Sequence, residues 1–205
     1  MNSNFAGTGC PDAMLIAAST WRQVRSPSGW MNMIDLCNFE PTRYTTAPQQ
    51  TEGWIVFRAP PEKVFARVAD HAAMGDWIPL VQEITVSHPH PVAPGQSTIG
   101  TARQISMKGG LTIVEKVVYW NPPYCYAYTS EGKHMPLKNY VGLFSVVRAD
   151  AHSGRFIFRE YFDDLSRVEQ AILPHGVVAL FKQALANLAQ LIGGTEYAMT
   201  AVSRL

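Results

Sequence analysis

The chain has 205 residues, 47% hydrophobic and 16% charged, with a net charge near +1 at pH 7. That is enough for one sizeable domain, or a smaller one with an extension, and the charge balance offers no basic face for nucleic acid. No apolar run approaches the roughly 18 residues of a membrane-spanning helix, and the short apolar patch Met14–Ala18 lacks the basic leader of a signal peptide. Cys10, Cys37 and Cys125 are odd in number and widely spaced, with no CxxC, so they read as reduced thiols. A cytoplasmic protein is the expectation.

Residues 1–50 are rich in Asn, Ser, Thr, Gly and Pro and poor in charge. Asp12 is placed to cap a short helix carrying Met14, Leu15, Ala18 and Trp21. Trp30, Met31, Met33, Ile34 and Leu36 make a second apolar patch. The reading is a partly ordered N-terminal extension that packs a few aromatics on the main domain, with a lid or a homodimer contact as its functional alternatives. Thr45–Thr51 reads as linker.

Residues 51–194 carry a sharper pattern. Trp54–Arg58 is a β-rich run, and Pro60-Pro61 opens a helix with the stripe Val64, Phe65, Val68 and Ala69. Asp70–Trp77 reads as a second short helix stopped by Pro79, Val81–Ser87 as a strand, and His88–Gly95 as a Pro-rich loop. A meander follows: Thr98–Met107, a tight turn at Lys108-Gly109-Gly110, Leu111–Trp120, Tyr124–Thr129, Leu137–Arg148 and Arg155–Asp163. The last element is a long helix with Val177, Phe181, Leu185, Leu188 and Ile192 on one face, widened by Val178, Leu180, Ala184 and Leu191. Ser166–Glu169 fits a capping box, Pro174 predicts a bend, and Gly193-Gly194 ends the helix. Residues 195–205 read as a C-terminal tail. Helices kept apart from a run of hairpins define α+β: a bent antiparallel sheet of about seven strands around the long C-terminal helix, with two short helices after the first strand.

Strand parity nominates the residues of an internal cavity. Arg103 and Glu115 fall near each other across the β-hairpin turn at 108–110. Two readings stay open: a cross-strand surface pair worth under about 1 kcal/mol, or an inward pair facing a ligand's polar group. Tyr124, Tyr126 and Tyr128 share a face, as do Tyr140, Gly142 and Phe144, and Phe156, Phe158, Glu160 and Phe162. Tyr128 and Tyr140 suit a pocket that holds an apolar ring and hydrogen-bonds its oxygen, whereas the Phe residues read as core. Trp77 is placed at the cavity mouth, Phe181, Leu185 and Leu188 on its helical wall, and His134 in a loop overhanging it. His88 and His90 read as a solvated loop, not metal ligands. No GxSxG, Walker A or strand-borne GxGxxG motif is present, and neither metal nor cofactor is expected.

Several short stretches, in order, resemble the START/Bet v 1-like helix-grip (SRPBCC) superfamily, in its polyketide cyclase/dehydrase-like branch. They are Ala59-Pro-Pro-Glu-Lys-Val-Phe65, Asp76-Trp-Ile-Pro79, Gly100-Thr-Ala-Arg103, Val114-Glu115, Tyr126-Ala-Tyr128 and Met135-Pro136 before Asn139-Tyr140. The likeness spans roughly Glu52–Gly194. It implies a cavity between sheet and long helix that binds a small hydrophobic or aromatic molecule, lipid-like or polyketide-like. An alternative from the same resemblance is a cyclase or dehydrase in which Arg103 steadies an enolate and a Tyr or Glu moves protons. A non-catalytic protein-interaction module is the third.

Overall fold

The computed structural model describes residues 21–26, 29–93, 96–131, 137–163 and 167–202, with side chains of the long helix described from Val178 onward. Seven strands make the expected meander: β3 (Gln49–Phe57), β4 (Val81–Ser87), β5 (Ala102–Met107), β6 (Thr112–Asn121), β7 (Cys125–Glu131), β8 (Val141–Asp150) and β9 (Ser153–Tyr161). They are preceded by a hairpin, β1 (Trp21–Ser26) and β2 (Gly29–Ile34), and followed by β10 (Gly194–Ala201). All pairings are antiparallel, in the order β10-β3-β9-β8-β7-β6-β5-β4, with β2 touching β8 at Ile34 and Arg148. Helix α1 (Pro61–Ala69) and a 3-10 turn (Ala72–Asp76) sit between β3 and β4, and α2 (Arg167–Ile192) follows β9.

One face of the sheet builds the core. Ile55 and Phe57 of β3, Phe156 and Phe158 of β9, Phe144 and Val146 of β8, and Tyr126 and Tyr128 of β7 alternate inward. They meet Val64, Phe65 and Val68 of α1 and Leu185, Leu188 and Ile192 of α2. Phe181 is half-buried with its ring 4.9 Å from that of Phe158. Leu191, expected to widen the buried face, is instead 49% exposed. The turn at Lys108–Gly110 closes the β5–β6 hairpin because Gly109 and Gly110 both take positive φ, 94° and 84°.

The opposite face of β7–β9 is also covered, which explains why every residue from Val141 to Val147 is buried. Met33 packs on Val147 and Ile157, and Cys37 and Phe39 pack against the cluster of Ala127, Val141, Leu143 and Tyr161. The Asn121 side chain donates to the Leu36 carbonyl at 3.2 Å. Cys37 and Cys125 form a disulfide, with Cα atoms 5.6 Å apart. The reading of all the cysteines as reduced thiols is thereby corrected, and the argument it lent to a cytoplasmic setting goes with it. Sequence spacing gave no warning, because Cys125 meets Cys37 only when the extension is laid across the outside of β7.

Other expectations shift in detail. The linker at 45–51 already contains the start of β3, and Leu137–Tyr140 precede β8 as a loop in which Asn139 has φ 52°. Part of the stretch read as a tail, 195–205, is β10, paired with β3 from Gly194↔Phe57 to Ala201↔Thr51. Arg167–Ile192 is one continuous helix with Pro174 inside it, where two segments and a bend were expected. Of the expected Asp12 helix, Trp21 instead opens strand β1 and the rest lies outside the described residues, as do His134 and the first residue of the capping box. Among the described residues, no helix is long and apolar enough to cross a membrane.

Candidate functional site

The β5–β6 register places Arg103 directly opposite Glu115, and the face they share is the inner one. Arg103 is 1% exposed and Glu115 8%, so the surface-pair reading falls away. Arg103 Nε donates to Glu115 Oε2 at 2.5 Å, and its Nη1 donates to His71 Nδ1 at 2.8 Å. A longer contact of 3.5 Å reaches the Tyr126 hydroxyl, which itself donates to the Val68 carbonyl at 2.8 Å. The guanidinium lies over the Tyr128 ring, 4.3 Å from its centroid. Burial works hardest against the charge on Arg103, but Glu115 together with Tyr126 and Tyr128 outweighs it and holds the guanidinium's pKa above its ordinary value.

Arginine has donors only, so His71 Nδ1 must accept and the ring proton sits on Nε2, facing Ser97 Oγ at 3.1 Å. Burial first, then the charges of Arg103 and His88, lowers the His71 pKa to about 2. The ring is therefore neutral, accepting at Nδ1 and donating at Nε2.

A second polar group lies farther along the same face. Tyr128 Oη and Tyr140 Oη are 3.4 Å apart, and Tyr140 donates to Glu160 Oε1 at 3.0 Å. Thr51 donates to Glu160 Oε2 at 2.5 Å. Glu160 is fully buried, and burial raises its carboxyl to about 7, against the pull of the Thr51 and Tyr140 hydroxyls and with a further push from Glu115. Burial also raises both tyrosines well above the usual phenol range, and the carboxylates Glu115 (for Tyr128) and Glu160 (for Tyr140) add to it. They are neutral O–H donors at any ordinary pH. Gly142, paired with Tyr128 across β7–β8, gives the ring its room: a Cβ there would lie 2.3 Å from Tyr128 Cζ.

The nominated residues thus fall into three groups. Arg103, Glu115, Tyr128 and Tyr140 come together in one buried polar track. Leu185 and Leu188 line the helical side of the core and Phe181 its margin. Trp77, expected at a mouth, is 2% exposed with its ring 6.0 Å from that of Phe144, and its carbonyl accepts from Asn187 of α2 at 3.1 Å. Sequence reasoning passed over His71, Tyr126, Thr51 and Glu160. Glu160 carried a signal, an acid in register with three inward phenylalanines. His71 carried none, because its partners arrive from strands some 30 residues away. His88 bonds Thr101 Oγ1 at 3.0 Å.

Two buried N–H donors of this region, Arg103 Nη2 and Trp77 Nε1, have no acceptor among the described residues. An unpaired buried donor costs about 1–3 kcal/mol, more for a charged group. The core around them is rich in aromatics: the Phe144 ring lies within 6.0 Å, centroid to centroid, of Trp77, Tyr126, Tyr128, Phe156 and Phe158, edge-on to all but the tilted Trp77.

An antiparallel sheet packed on a long C-terminal helix, with a helical insertion after its first long strand and polar side chains on the buried face, defines the helix-grip class. The chain belongs to the family described as polyketide cyclase / dehydrase and lipid transport, whose model matches residues 48–193. Solved structures share the fold at low identity. A protein from Thermobifida fusca is 22% identical, with a TM-score of 0.57 over 70% of this chain and 93% of its own. A conserved protein from Geobacillus kaustophilus is 13% identical, with a TM-score of 0.55 over 72% and 98%. The Zhui aromatase/cyclase from Streptomyces sp. R1128 is 13% identical, with a TM-score of 0.50 over 70% and 95%. No curated protein matches in sequence.

Proposed function

We propose that this protein binds one small molecule with an apolar or aromatic body between the sheet and α2, and holds an oxygen of that molecule on Arg103. The observation behind this reading is Arg103 Nη2, a fully enclosed cationic donor without an acceptor among the described residues, set among aromatic rings. Tyr128, Tyr140 and Glu115 shape the polar side of the site, while Trp77, Phe181, Leu185 and Leu188 form the apolar side. The apolar body contributes about 0.8 kcal/mol per buried CH₂, and the oxygen, bonded to a charged donor, about 1.5–3 kcal/mol. The family's description, which joins cyclase, dehydrase and lipid transport, supports binding of a hydrophobic molecule as the common element.

The test compares 1-tetralone with tetralin, bicyclic rings that differ by one carbonyl. Titration calorimetry on the whole chain is expected to favour tetralone by about 10- to 100-fold, and Arg103→Met to erase that preference. If the wild-type chain binds neither ring, the binding reading is wrong. If the preference survives in Arg103→Met, the oxygen sits elsewhere.

One observation favours catalysis as a second reading: Glu160 titrates near 7 and is bonded to Tyr140. In that reading Glu160 takes a proton from the carbon next to a ketone while Arg103 holds the enolate oxygen, and the proton then returns. Deuterium uptake at the α-carbon of bound 1-tetralone in D₂O, lost in Glu160→Gln, would establish it. Absence of uptake leaves the protein a binder.

A further inference from the structure

We infer that His71 is the positioning residue of this site: it fixes Arg103 so that the free Nη2 points at the ligand's oxygen. The ligand half of this statement rests on the function proposed above. The hold of His71 on Arg103 does not.

A guanidinium is planar, so fixing two of its three nitrogens fixes the direction of the third. Glu115 holds Nε at 2.5 Å and His71 holds Nη1 at 2.8 Å. Glu115 alone leaves the plane free to turn about the Nε–Glu115 contact. The Tyr126 oxygen, 3.5 Å from the same Nη1, is too distant an acceptor to stop it. His71 is the second anchor. Ser97 Oγ keeps it in the tautomer that accepts at Nδ1 by accepting the Nε2–H hydrogen bond. A protonated ring would have no lone pair for Arg103, and the enclosure of His71, only 3% exposed, disfavours that form. His71 lines a half-open pocket of about 80 Å³ together with Ala69, Asp70, Ala72, Val86, His88 and Gln96. A small ring from solution can therefore reach the space that a shortened residue 71 would leave.

The experiment uses His71→Gly in the full chain. The tetralone-over-tetralin preference is expected to fall at least 5-fold while tetralin affinity stays within about 2-fold. Added imidazole is expected to restore the preference, because it brings back an acceptor nitrogen. Pyrrole, a ring of the same shape with a donor N–H and no acceptor, is expected not to. An unchanged preference in His71→Gly, or equal rescue by pyrrole, overturns the inference and leaves His71 a space-filler. Should His71→Gly fail to fold, Ser97→Ala frees the tautomer, and a several-fold loss of preference is expected there. Ligand-free wild-type protein gives an independent reading by ¹⁵N–¹H correlation of the histidine rings. His71 is expected as the Nε2–H form from pH 5 to 8, and an Nδ1–H form overturns the inference whatever binds. A wild type that shows this tautomer but no tetralone preference defeats the binding proposal and, with it, the ligand half alone.

Discussion

Cutting the Cys37–Cys125 bridge, by Cys37→Ala, frees a closed loop of 88 residues in the unfolded chain. Loop closure of that length is worth about 4.5 kcal/mol at 25 °C in the chain-entropy estimate. In a chain of this size that corresponds to a fall in Tm of roughly 10–18 °C. The folded side adds little: Cys37 is half-buried, so the vacated Sγ leaves a small gap, while Cys125 remains enclosed as a buried thiol. The loss should therefore appear in urea unfolding as a lower midpoint with a larger m-value, since the uncrosslinked chain exposes more surface. A prior check is alkylation with iodoacetamide in denaturant without reductant. Of the three cysteines, only Cys10 should react, giving one adduct. Three adducts, or a Cys37→Ala chain within about 1 kcal/mol of the wild type, would refute the reasoning.

Other outcomes follow from the buried track. Glu160 has a folded pKa of about 7, above its unfolded value, so its contribution is fully present below about pH 4.5 and lost as pH rises through 7. Wild-type stability should fall by about 3 kcal/mol between pH 4.5 and 8 relative to Glu160→Gln, and parallel urea midpoints for the two chains would sink the idea. Glu115→Ala strands the Arg103 cation and should cost about 3–5 kcal/mol, whereas Arg103→Met with Glu115→Leu should recover most of it, by the same unfolding assay. Gly142→Ala forces the Tyr128 ring aside and should cost about 1–3 kcal/mol with a change in the near-UV tyrosine signal; an unaltered spectrum would show that the ring is not seated there.

The meander was legible because hairpin turns and period-two alternation are local. Lys108–Gly110 set the register that joins Arg103 to Glu115, and parity grouped Tyr126 with Tyr128 in one strand and Phe156 with Phe158 in another. The direction of that face was not local. A surface ladder and a buried pair look alike until the helices are laid across one side, and burial then decided for the interior. His71 and the Cys37–Cys125 bridge were invisible for the same reason, since each partner lies tens of residues from the other and neither belongs to a spaced motif. Strand β10 escaped because Gly194–Ala201 has few large β-formers, and its order comes from pairing with β3. The inward direction of Glu160 was readable from its neighbours but was hidden by the rule that acids belong outside.

That last strand bears on where the folding unit ends. The family match stops at residue 193, just where α2 gives way to β10. Gly193 there accepts a backbone hydrogen bond from Arg58. A chain truncated at that boundary would keep every residue of the recognised family and still strip a neighbour from Gln49–Phe57. It would bare the backbone of a strand containing Trp54, Ile55, Val56 and Phe57, an adhesive edge of the kind proteins normally shield. Such a truncation should express as aggregate where the chain through residue 202 stays monodisperse in light scattering. The boundary drawn by likeness is one strand short of the edge of the sheet.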